Sequence, residues 1–364
     1  MTVATAPGKR GSEIRAAGLE HEVFSLDRRS TNPVRESGTV WELSSLMRRL
    51  RPDIVHLVGA KPIVYGNWAA AICRPPVCIE RGRRPWLPLP WRRRRPAADA
   101  IARRDDVSAF RSQQSAGSSV GAEQDDRAVL LDQGMARAEQ FVVVTGSGVD
   151  LRRFQACPEP TGSPLVVLMH SRMLWDKGVR ELVEATRLLR SRTGLTFVVR
   201  LVGAPDSANP ASISEEQLLR WAAEAAIEWL GRRDDIPAEL RRCHVACLPS
   251  YRQGAPLSLI EAAAVGRAIV TTDVPGYREV VRHQENGLLV PARDAEGLAA
   301  ALERLLSDSA LRQRLARSGR ERAEREFSSD VINGQIIETY RGMLGHVARP
   351  AHGEAKATAL PADG

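Results

Sequence analysis

The chain has 364 residues, of which 43% are hydrophobic and 26% are charged, and its net charge is +8. This length is too great for one ordinary core and predicts about two domains, while the apolar content excludes a largely disordered chain. No run of about 18 apolar residues occurs, so a membrane-spanning helix is excluded, and the positive charge indicates either acidic partners or simply a cationic surface.

The N-terminal half carries short and weak patterns. Strands are predicted at 19–26, 52–59 and 140–150, and helices at 40–51 and 65–74. His56 and Lys61 lie at the end of the second strand, where they either face a cleft on the acceptor side or form an ordinary strand-end pair. We place a first domain at 1–150.

Residues 80–126 do not resemble a domain interior, because they are irregular and basic, rich in Arg and Pro, and lack an apolar period. Three interpretations remain open. The stretch is a disordered basic loop, a membrane-surface patch anchored by Trp86 and Trp91, or coding sequence read out of frame.

Five cysteines show no metal-ligand spacing, and the first 18 residues lack the apolar region of a signal peptide. An odd cysteine count without a signal sequence is typical of a reduced, cytoplasmic protein. We therefore expect a cytoplasmic protein without a metal site.

The C-terminal half alternates short apolar strands with amphipathic helices. Strands are predicted at 164–170, 196–203, 227–231, 244–249, 267–272 and 286–291, and helices at 179–192, 214–226, 236–243, 257–266 and 277–283. This alternation predicts a doubly wound parallel sheet in a second domain, 151–328. Ser214 and Gln217 form a helix-start signature, and Gly266 is a helix stop.

Residues 294–346 are predicted to be all helical, with a separate C-terminal helix at 329–346. The final stretch, 347–364, is rich in Ala, Pro and Gly and is predicted to be disordered.

Three features of the second domain point to phosphate chemistry. Arg172 and Lys177 bracket a loop after a strand, at the sheet edge where ligands bind, and two cations at this spacing can straddle a diphosphate. Gly254 and Pro256 open a helix whose free N–H groups favour a phosphate. Glu261 projects toward the same cleft, where a carboxylate can accept two hydrogen bonds from a ribose diol. Each feature alone is common on solvated surfaces, and only their combination is specific.

Two stretches carry a family resemblance. PSYRQGAPLSLIEAAAVGRAIVTTDVPGYREVVRHQENGLLVP (249–291) resembles the signature region of the retaining glycosyltransferases of family 4, and HSRMLWDKGV (170–179) resembles the Arg–Lys–Gly loop of that family. The resemblance is dense over 128–346, patchy over 14–75 and absent over 80–124. It implies the α/β GT-B fold, in which two Rossmann-like doubly wound domains occur. In addition, PDIVHLVGAKPIVYG (52–66) and GSGVDLRRF (146–154) resemble N-domain and linker stretches of members that build capsular or O-antigen polysaccharide.

The resemblance implies roles for individual residues. Arg172 and Lys177 would contact the donor diphosphate, and Glu261 would hold the ribose hydroxyls. The loop Gly254, Ala255, Pro256 and Leu257 would meet the phosphates and the donor sugar, and the stretch around Arg233 and Asp234 would bind the base. Such enzymes transfer a hexose from a nucleotide sugar, here a UDP-sugar, without a metal, because fixed cations stabilise the leaving group.

The sequence departs from the family pattern at two places. Gln253 replaces the first Glu of the family's E-x7-E motif, which lies near the donor sugar and the anomeric centre. The chain also begins at a unit similar to the family's second strand, so the N-terminal domain is expected to be incomplete. Both departures predict impaired activity.

The function that these features favour is a hexosyltransferase for surface polysaccharide synthesis. Its expected partners are a nucleotide sugar and a saccharide or polyprenyl-diphosphate-linked acceptor, with peripheral contact to anionic lipid at the inner membrane face. The alternative is a truncated or degenerate nucleotide-sugar-binding homologue without catalysis. Nucleic-acid binding is not expected, because no helix-turn-helix, RNP or zinc pattern occurs.

Overall fold

A computed structural model describes residues 1–8, 11–26, 33–58, 60–73, 75, 77–82, 118–121, 141–143, 148–224, 226–251 and 255–347. The chain divides into two compact units. The N-terminal unit comprises Met1–Gly82, Pro88–Val120 and Ile336–Gly364, and the C-terminal unit comprises Arg83–Leu87 and Gly121–Gln335.

The early part of the chain alternates strands and helices. In chain order these are β1 Thr2–Thr5, α1 Gly11–Ala16, β2 Glu20–Val23, α2 Pro33–Leu50, β3 Ile54–Val58, α3 Ala60–Cys73, β4 Val77–Gly82, β5 Ser118–Gly121 and β6 Phe141–Val143. Strands β1 and β2 pair in parallel as a two-stranded sheet, and a second sheet has the order β3-β4-β5-β6. Helix α2 packs on α3, and their contact forms part of a small core of buried apolar residues.

The sequence patterns missed several of these elements. β1 and α1 were not predicted, because four residues of strand and six of helix are too short for a period to be recognised. Within the stretch predicted to be irregular, residues 80–82 continue β4 and residues 118–121 form β5. Strand pairing through main-chain groups explains this difference, since it does not depend on an apolar period. The remainder of that stretch, with the three interpretations given for it, lies outside the described residues.

The C-terminal unit is a six-stranded parallel sheet with helices between its strands. In chain order its elements are β7 Leu165–His170, α4 Val179–Arg192, β8 Phe197–Val202, α5 Glu215–Ala223, β9 Glu228–Trp229, α6 Ile236–Arg241, β10 Val245–Leu248, α7 Leu257–Val265, β11 Ala268–Thr272, α8 Tyr277–Val280, β12 Leu288–Val290, α9 Ala295–Ser307 and α10 Ser309–Glu326. The sheet order is β12-β11-β10-β7-β8-β9. The predicted doubly wound parallel sheet is confirmed.

This strand order fixes where a ligand site is expected. The chain adds β8 and β9 on one side of β7 and then returns to add β10, β11 and β12 on the other side. The order therefore reverses between β7 and β10, which pair directly at Val245–Val167 and Ala246–Leu168. In sheets of this kind, a crevice opens outside the carboxyl ends of the two strands at such a reversal.

Local sequence explains the helix ends and the buried strands. Strands β10 and β11 are buried at every position, which is typical of parallel strands covered on both faces. The Ser214 side chain accepts a hydrogen bond from Gln217 N at 3.2 Å, so the predicted helix start is confirmed. Gly266 ends α7 in the left-handed conformation with φ 77°, as predicted for a helix stop.

The last helix, α11, runs from Ser329 to Val347. Its first residues belong to the C-terminal unit, and the residues from Ile336 onward belong to the N-terminal unit. The tail beyond Val347, predicted to be disordered, lies outside the described residues. Within the described ranges, no helix combines the length and the apolar character that a bilayer crossing requires.

Candidate functional site

Two loops meet at the point where the strand order reverses. One follows β7 and contains residues 171–178, and the other follows β10 and begins at residue 249. The Ser250 hydroxyl donates a hydrogen bond to the carbonyl of Asp176 at 2.8 Å, and the Tyr251 amide donates to the same carbonyl at 3.0 Å. The two loops predicted to carry the site are therefore in direct contact.

Gly178 makes this contact possible. Its φ of 75° lies in the left-handed region, and a Cβ placed there would lie 2.0 Å from the carbonyl oxygen of Pro249. No side chain fits at that distance, so the close approach of the two loops requires glycine. The short 3₁₀ turn Trp175–Lys177 ends at this glycine and leads into α4.

The two predicted cations lie in different environments. Arg172 is 55% exposed, and its Nη1 forms an ion pair with Asp206 Oδ2 at 2.8 Å. Lys177 is only 6% exposed, within the 3₁₀ turn. The loop thus presents one accessible guanidinium beside a carboxylate and one enclosed ammonium. Because a guanidinium has several N–H donors, Arg172 can contact a phosphate in addition to Asp206.

Glu261 lies at the same edge of the sheet and is held by a residue of β7. His170, the last residue of that strand, places its Nε2 2.9 Å from Glu261 Oε2. Both side chains are largely enclosed, with 10% and 16% of their surface exposed. This contact joins α7 to the end of β7 and brings Glu261 to the loop that carries Arg172.

The start of α7 supplies main-chain donors. Pro256 is the N-cap residue, and within the described residues no side chain caps this end of the helix. Ala255 is half-buried, and Leu257, the first helical residue, is 43% exposed. A free helix N-terminus at the reversal point can receive a negatively charged group. Gln253 and Gly254 lie outside the described residues.

Tyr251 anchors the second loop to α4. Its hydroxyl donates to Glu181 Oε1 at 2.6 Å, and the Arg293 guanidinium lies 4.6 Å from the centre of its ring. Burial, with the Glu181 carboxylate as the second cause, raises the pKa of the Tyr251 hydroxyl above its ordinary value. The hydroxyl therefore stays protonated and keeps donating to Glu181.

The residues proposed for the base lie in the loop after β9. Arg233 Nε is 3.9 Å from Glu239 Oε1, while the Asp234 side chain is 90% exposed. This loop joins the sheet edge through Gly231, whose carbonyl accepts a hydrogen bond from Gly203 N at 2.8 Å. Arg233 and Asp234 thus follow the outermost strand on the same carboxyl edge, two strands away from β7.

The residues predicted for the acceptor side belong to the N-terminal unit and make contacts there. His56 Nδ1 lies 2.5 Å from the hydroxyl of Tyr340 in α11. Lys61 Nζ forms an ion pair with Glu36 at 2.9 Å and lies 5.8 Å from the ring centre of Tyr65. Burial and a hydrogen bond with Glu36 raise the pKa of Tyr65 to about 12. These contacts join β3 to α11 and α2 to α3, and the acceptor-side role remains a prediction.

Three site neighbours were not singled out from the sequence. His170, Asp206 and Glu181 each bond to a loop or helix of the site. Their partners lie 91, 34 and 70 residues away in the chain, so no local pattern reveals the pairs. His170 carried one usable signal, because it is a polar residue at the end of a buried strand.

The described part of the chain holds no group of three His, Cys, Asp or Glu side chains arranged to bind a metal ion. The expectation of metal-free chemistry remains a prediction.

A comparison with protein families finds one whose model matches part of the chain. Residues 164–308 match the Glycosyl transferases group 1 family. The matched segment contains both loops and every residue of the C-terminal unit discussed above for the candidate site. The predicted resemblance to glycosyltransferases is confirmed for this segment at the level of group 1.

Curated relatives match about half of this chain. The N,N'-diacetylbacillosaminyl-diphospho-undecaprenol alpha-1,3-N-acetylgalactosaminyltransferase of Campylobacter jejuni is 34% identical over 50% of this chain and 46% of its own length. Glycogen synthase of Mycobacterium tuberculosis is 30% identical over 55% and 48%. The capsular polysaccharide biosynthesis glycosyltransferase CapM of Staphylococcus aureus is 28% identical over 48% and 45%. The chain thus spans about half the length of the curated relatives it matches.

Solved structures extend the similarity to both units. Anabaena Alr3699/HepE, solved in complex with UDP, superposes with a TM-score of 0.72 over 94% of this chain and 92% of its own, at 20% identity. A glycosyltransferase from Rickettsia africae superposes with a TM-score of 0.74 over 94% and 90%, at 19% identity. Similarity at this level of identity establishes the fold. The predicted GT-B fold is confirmed.

Proposed function

We propose that the chain is a retaining family 4 glycosyltransferase that moves a hexose from a UDP-sugar to a saccharide or polyprenyl-diphosphate-linked acceptor in surface polysaccharide synthesis. The observation that carries this proposal is the direct contact of the β7 and β10 loops where the strand order reverses. Ligands of such sheets bind there. The relatives support it, since one is named for a diphospho-undecaprenol acceptor and another for capsule synthesis.

In this proposal the donor binds along the carboxyl edge of the sheet. Arg172 and Lys177 contact the diphosphate, and the free N–H groups at the start of α7 assist them. Glu261 accepts hydrogen bonds from the ribose hydroxyls. The base lies toward Arg233 and Asp234.

Fixed positive charge stabilises the departing nucleotide in this reaction. The bond from the anomeric carbon to the diphosphate breaks, the acceptor oxygen bonds to the same face of the sugar, and the proton of the acceptor hydroxyl passes to the departing diphosphate. Negative charge grows on the diphosphate as the bond breaks, and preorganised cations and helix N–H groups lower the energy of that state. Activity is therefore expected to survive EDTA treatment without loss.

Gln253 is proposed to lie beside the donor sugar and to limit the rate. An amide keeps an acceptor oxygen but lacks the negative charge that favours a cationic sugar in the transition state. The loss of one charge-assisted hydrogen bond costs roughly 1.5–3 kcal/mol, which corresponds to about ten- to a hundredfold in rate. We expect Gln253→Glu to raise turnover by a factor in this range, and Gln284→Glu, in an exposed turn of the same unit, to leave it unchanged.

The test is donor hydrolysis and sugar transfer by the full chain with UDP- and GDP-sugars, with the anomeric configuration of the product read by NMR. Acceptors are a polyprenyl-diphosphate-linked saccharide and a free oligosaccharide. Turnover of a UDP-sugar with retention supports the proposal. Binding of UDP without any turnover, in both the native chain and Gln253→Glu, would instead identify a non-catalytic nucleotide-sugar-binding homologue.

A further inference from the structure

His170 occupies a place where an apolar residue would be the simpler choice. It ends β7, whose residues 166–169 are all buried, and its own side chain is only 10% exposed. A polar group enclosed in this way costs free energy unless it is hydrogen-bonded. Its Nε2 is hydrogen-bonded to Glu261 Oε2, at 2.9 Å. The hydrogen bond to the Glu261 carboxylate therefore offsets the cost of enclosing this imidazole at the carboxyl end of β7.

Glu261 presents the complementary problem. It is the one charged residue of α7, a helix otherwise made of leucine, isoleucine, alanine, valine and a serine, and six of the nine residues are buried. An enclosed carboxylate needs donors, and His170 Nε2–H supplies one to Oε2. Among the described residues, Oε1 accepts no hydrogen bond. Because each carboxylate oxygen has two acceptor sites, Oε1 and half of Oε2 remain available for two hydroxyl donors.

We propose that His170 is a positioning residue that fixes the Glu261 carboxylate for the ribose hydroxyls of the nucleotide. This inference rests on the proposed function, in which Glu261 binds the ribose. A glutamate side chain has three rotatable bonds, and ordering it at the moment of binding lowers affinity. The hydrogen bond from β7 orders it beforehand, because the strand itself is fixed within the sheet.

The contact also connects the two halves of the nucleotide site. His170 lies two residues before Arg172 and ends the strand that leads into the loop proposed to bind the diphosphate. The distance between the ribose-binding carboxylate and the phosphate-binding loop is therefore set by one side-chain contact. Replacement of His170 should therefore lower the affinity most for ligands that contact Glu261, and less for ligands that make only the phosphate contacts.

The experiment measures the affinity of the full chain for UDP, 2′-deoxy-UDP and 3′-deoxy-UDP by calorimetry. In the native protein, removal of a ribose hydroxyl is expected to weaken binding by about tenfold or more. His170→Leu is expected to weaken UDP binding about tenfold while changing the affinity for the deoxy ligands much less, so that discrimination between them collapses. Glu261→Gln defines the limit of this collapse.

Two further variants separate positioning from folding. His170→Gln keeps an N–H donor and is expected to retain most of the discrimination. Glu216→Gln, in an exposed ion pair on α5, is the control and is expected to leave all three affinities unchanged. Thermal melts establish that each variant is folded. A structural role alone would weaken UDP and its deoxy forms equally.

The outcomes distinguish this inference from the proposed function. If the native chain discriminates between UDP and the deoxy ligands, Glu261→Gln abolishes this, and His170→Leu preserves it, the positioning role is wrong while the proposed function stands. If the folded native chain binds neither UDP nor GDP, the proposed function fails and the role of His170 fails with it.

Discussion

A buried histidine, His244, is expected to make the stability of the C-terminal unit depend on pH. His244 is 3% exposed, and its Nδ1 accepts a hydrogen bond from Val166 N at 2.9 Å while Nε2 faces the carbonyl of Pro160 at 3.2 Å. Nδ1 can accept only when it carries no proton, so the fold selects the neutral imidazole. Burial, as the largest cause, lowers the pKa of His244 below its ordinary value of about 6.5.

The sign of the effect follows from the protons bound. Between the lowered pKa and about 6.5, the unfolded chain binds a proton at His244 that the folded chain does not. The free energy of unfolding should therefore decrease as pH falls from 7 toward 5.5. In His244→Gln, whose amide can replace both hydrogen bonds, this part of the pH dependence should disappear. Denaturant unfolding at several pH values measures it, and identical pH slopes for the two proteins would refute the assignment.

Residue-scale prediction from the sequence succeeded where a rule is local. The Ser214–Gln217 cap and the Gly266 stop depend on neighbours within a few positions, and both were found. The pairing of His170 with Glu261 depends on a distant partner, 91 residues away. The sequence could propose Glu261 as a ligand residue but not the side chain that holds it.

At the scale of elements, Gly178 determines whether the two site loops can meet. Gly178→Ala places a Cβ 2.0 Å from the Pro249 carbonyl oxygen and requires a left-handed φ of 75°. The backbone cost alone is about 1–3 kcal/mol, and the loops must also separate. We expect lower thermal stability and at least about tenfold weaker UDP binding.

Gly194→Ala is the matched control for this change. No atom lies within 4 Å of a Cβ placed there, and its φ lies outside the strained positive range. The control should leave stability and UDP affinity nearly unchanged. Equal behaviour of the two variants would contradict the role given to the loop contact.

A buried arginine joins the end of α6 to the segment before β7. Arg267 is 1% exposed, and it donates to the carbonyls of Leu240, Arg241, Cys157 and Pro158 at 2.9–3.3 Å. Helix carbonyl ends carry partial negative charge, so they compensate an enclosed cation.

Replacement of this arginine should destabilise the C-terminal unit strongly. Arg267→Met leaves several buried carbonyls without donors, and each costs about 1–3 kcal/mol, so we expect a total loss of at least about 3 kcal/mol. Arg317→Met, at an exposed position of α10, should change stability by no more than about 0.5 kcal/mol. Urea unfolding measures the stability of both variants, and similar midpoints would contradict the stabilising role given to Arg267.

Elements were predictable where burial imposes a period. Every strand of the C-terminal sheet was found, and α4 was found with its observed bounds, 179–192, because its apolar face repeats with the helical period. In the N-terminal unit, α2 begins at Pro33 and α3 at Ala60, earlier than the predicted 40 and 65. The first turns of both helices contain proline and charged residues, which interrupt the apolar period.

At the scale of the whole molecule, net charge is an imperfect guide to the surface. Of the cations that produce the charge of +8, Arg267, Arg312 and Arg322 are 1%, 4% and 8% exposed. Arg312 pairs with Glu159 and donates to Leu305 O at 2.6 Å, so it serves the fold of the C-terminal unit. Composition alone could not separate these internal cations from Arg172, which is accessible to an anion.

The order of the strands completes what the motifs could not establish. The motifs predict that two loops lie close together although they are about 75 residues apart along the chain. The reversal of strand order between β7 and β10 explains why they become neighbours. Strand order is set by long-range pairing, so it was not readable from any single stretch of sequence.

Calorimetric titration of UDP into the full chain tests the central claim most directly, because the proposed crevice must bind a nucleoside diphosphate before any chemistry follows. The account predicts one binding site per chain. Affinity should fall about ten- to a hundredfold in Arg172→Leu and in Glu261→Gln, and should not change in Arg220→Leu, at an exposed position of α5. Undiminished affinity in both site variants, or no binding by the folded native chain, would contradict it.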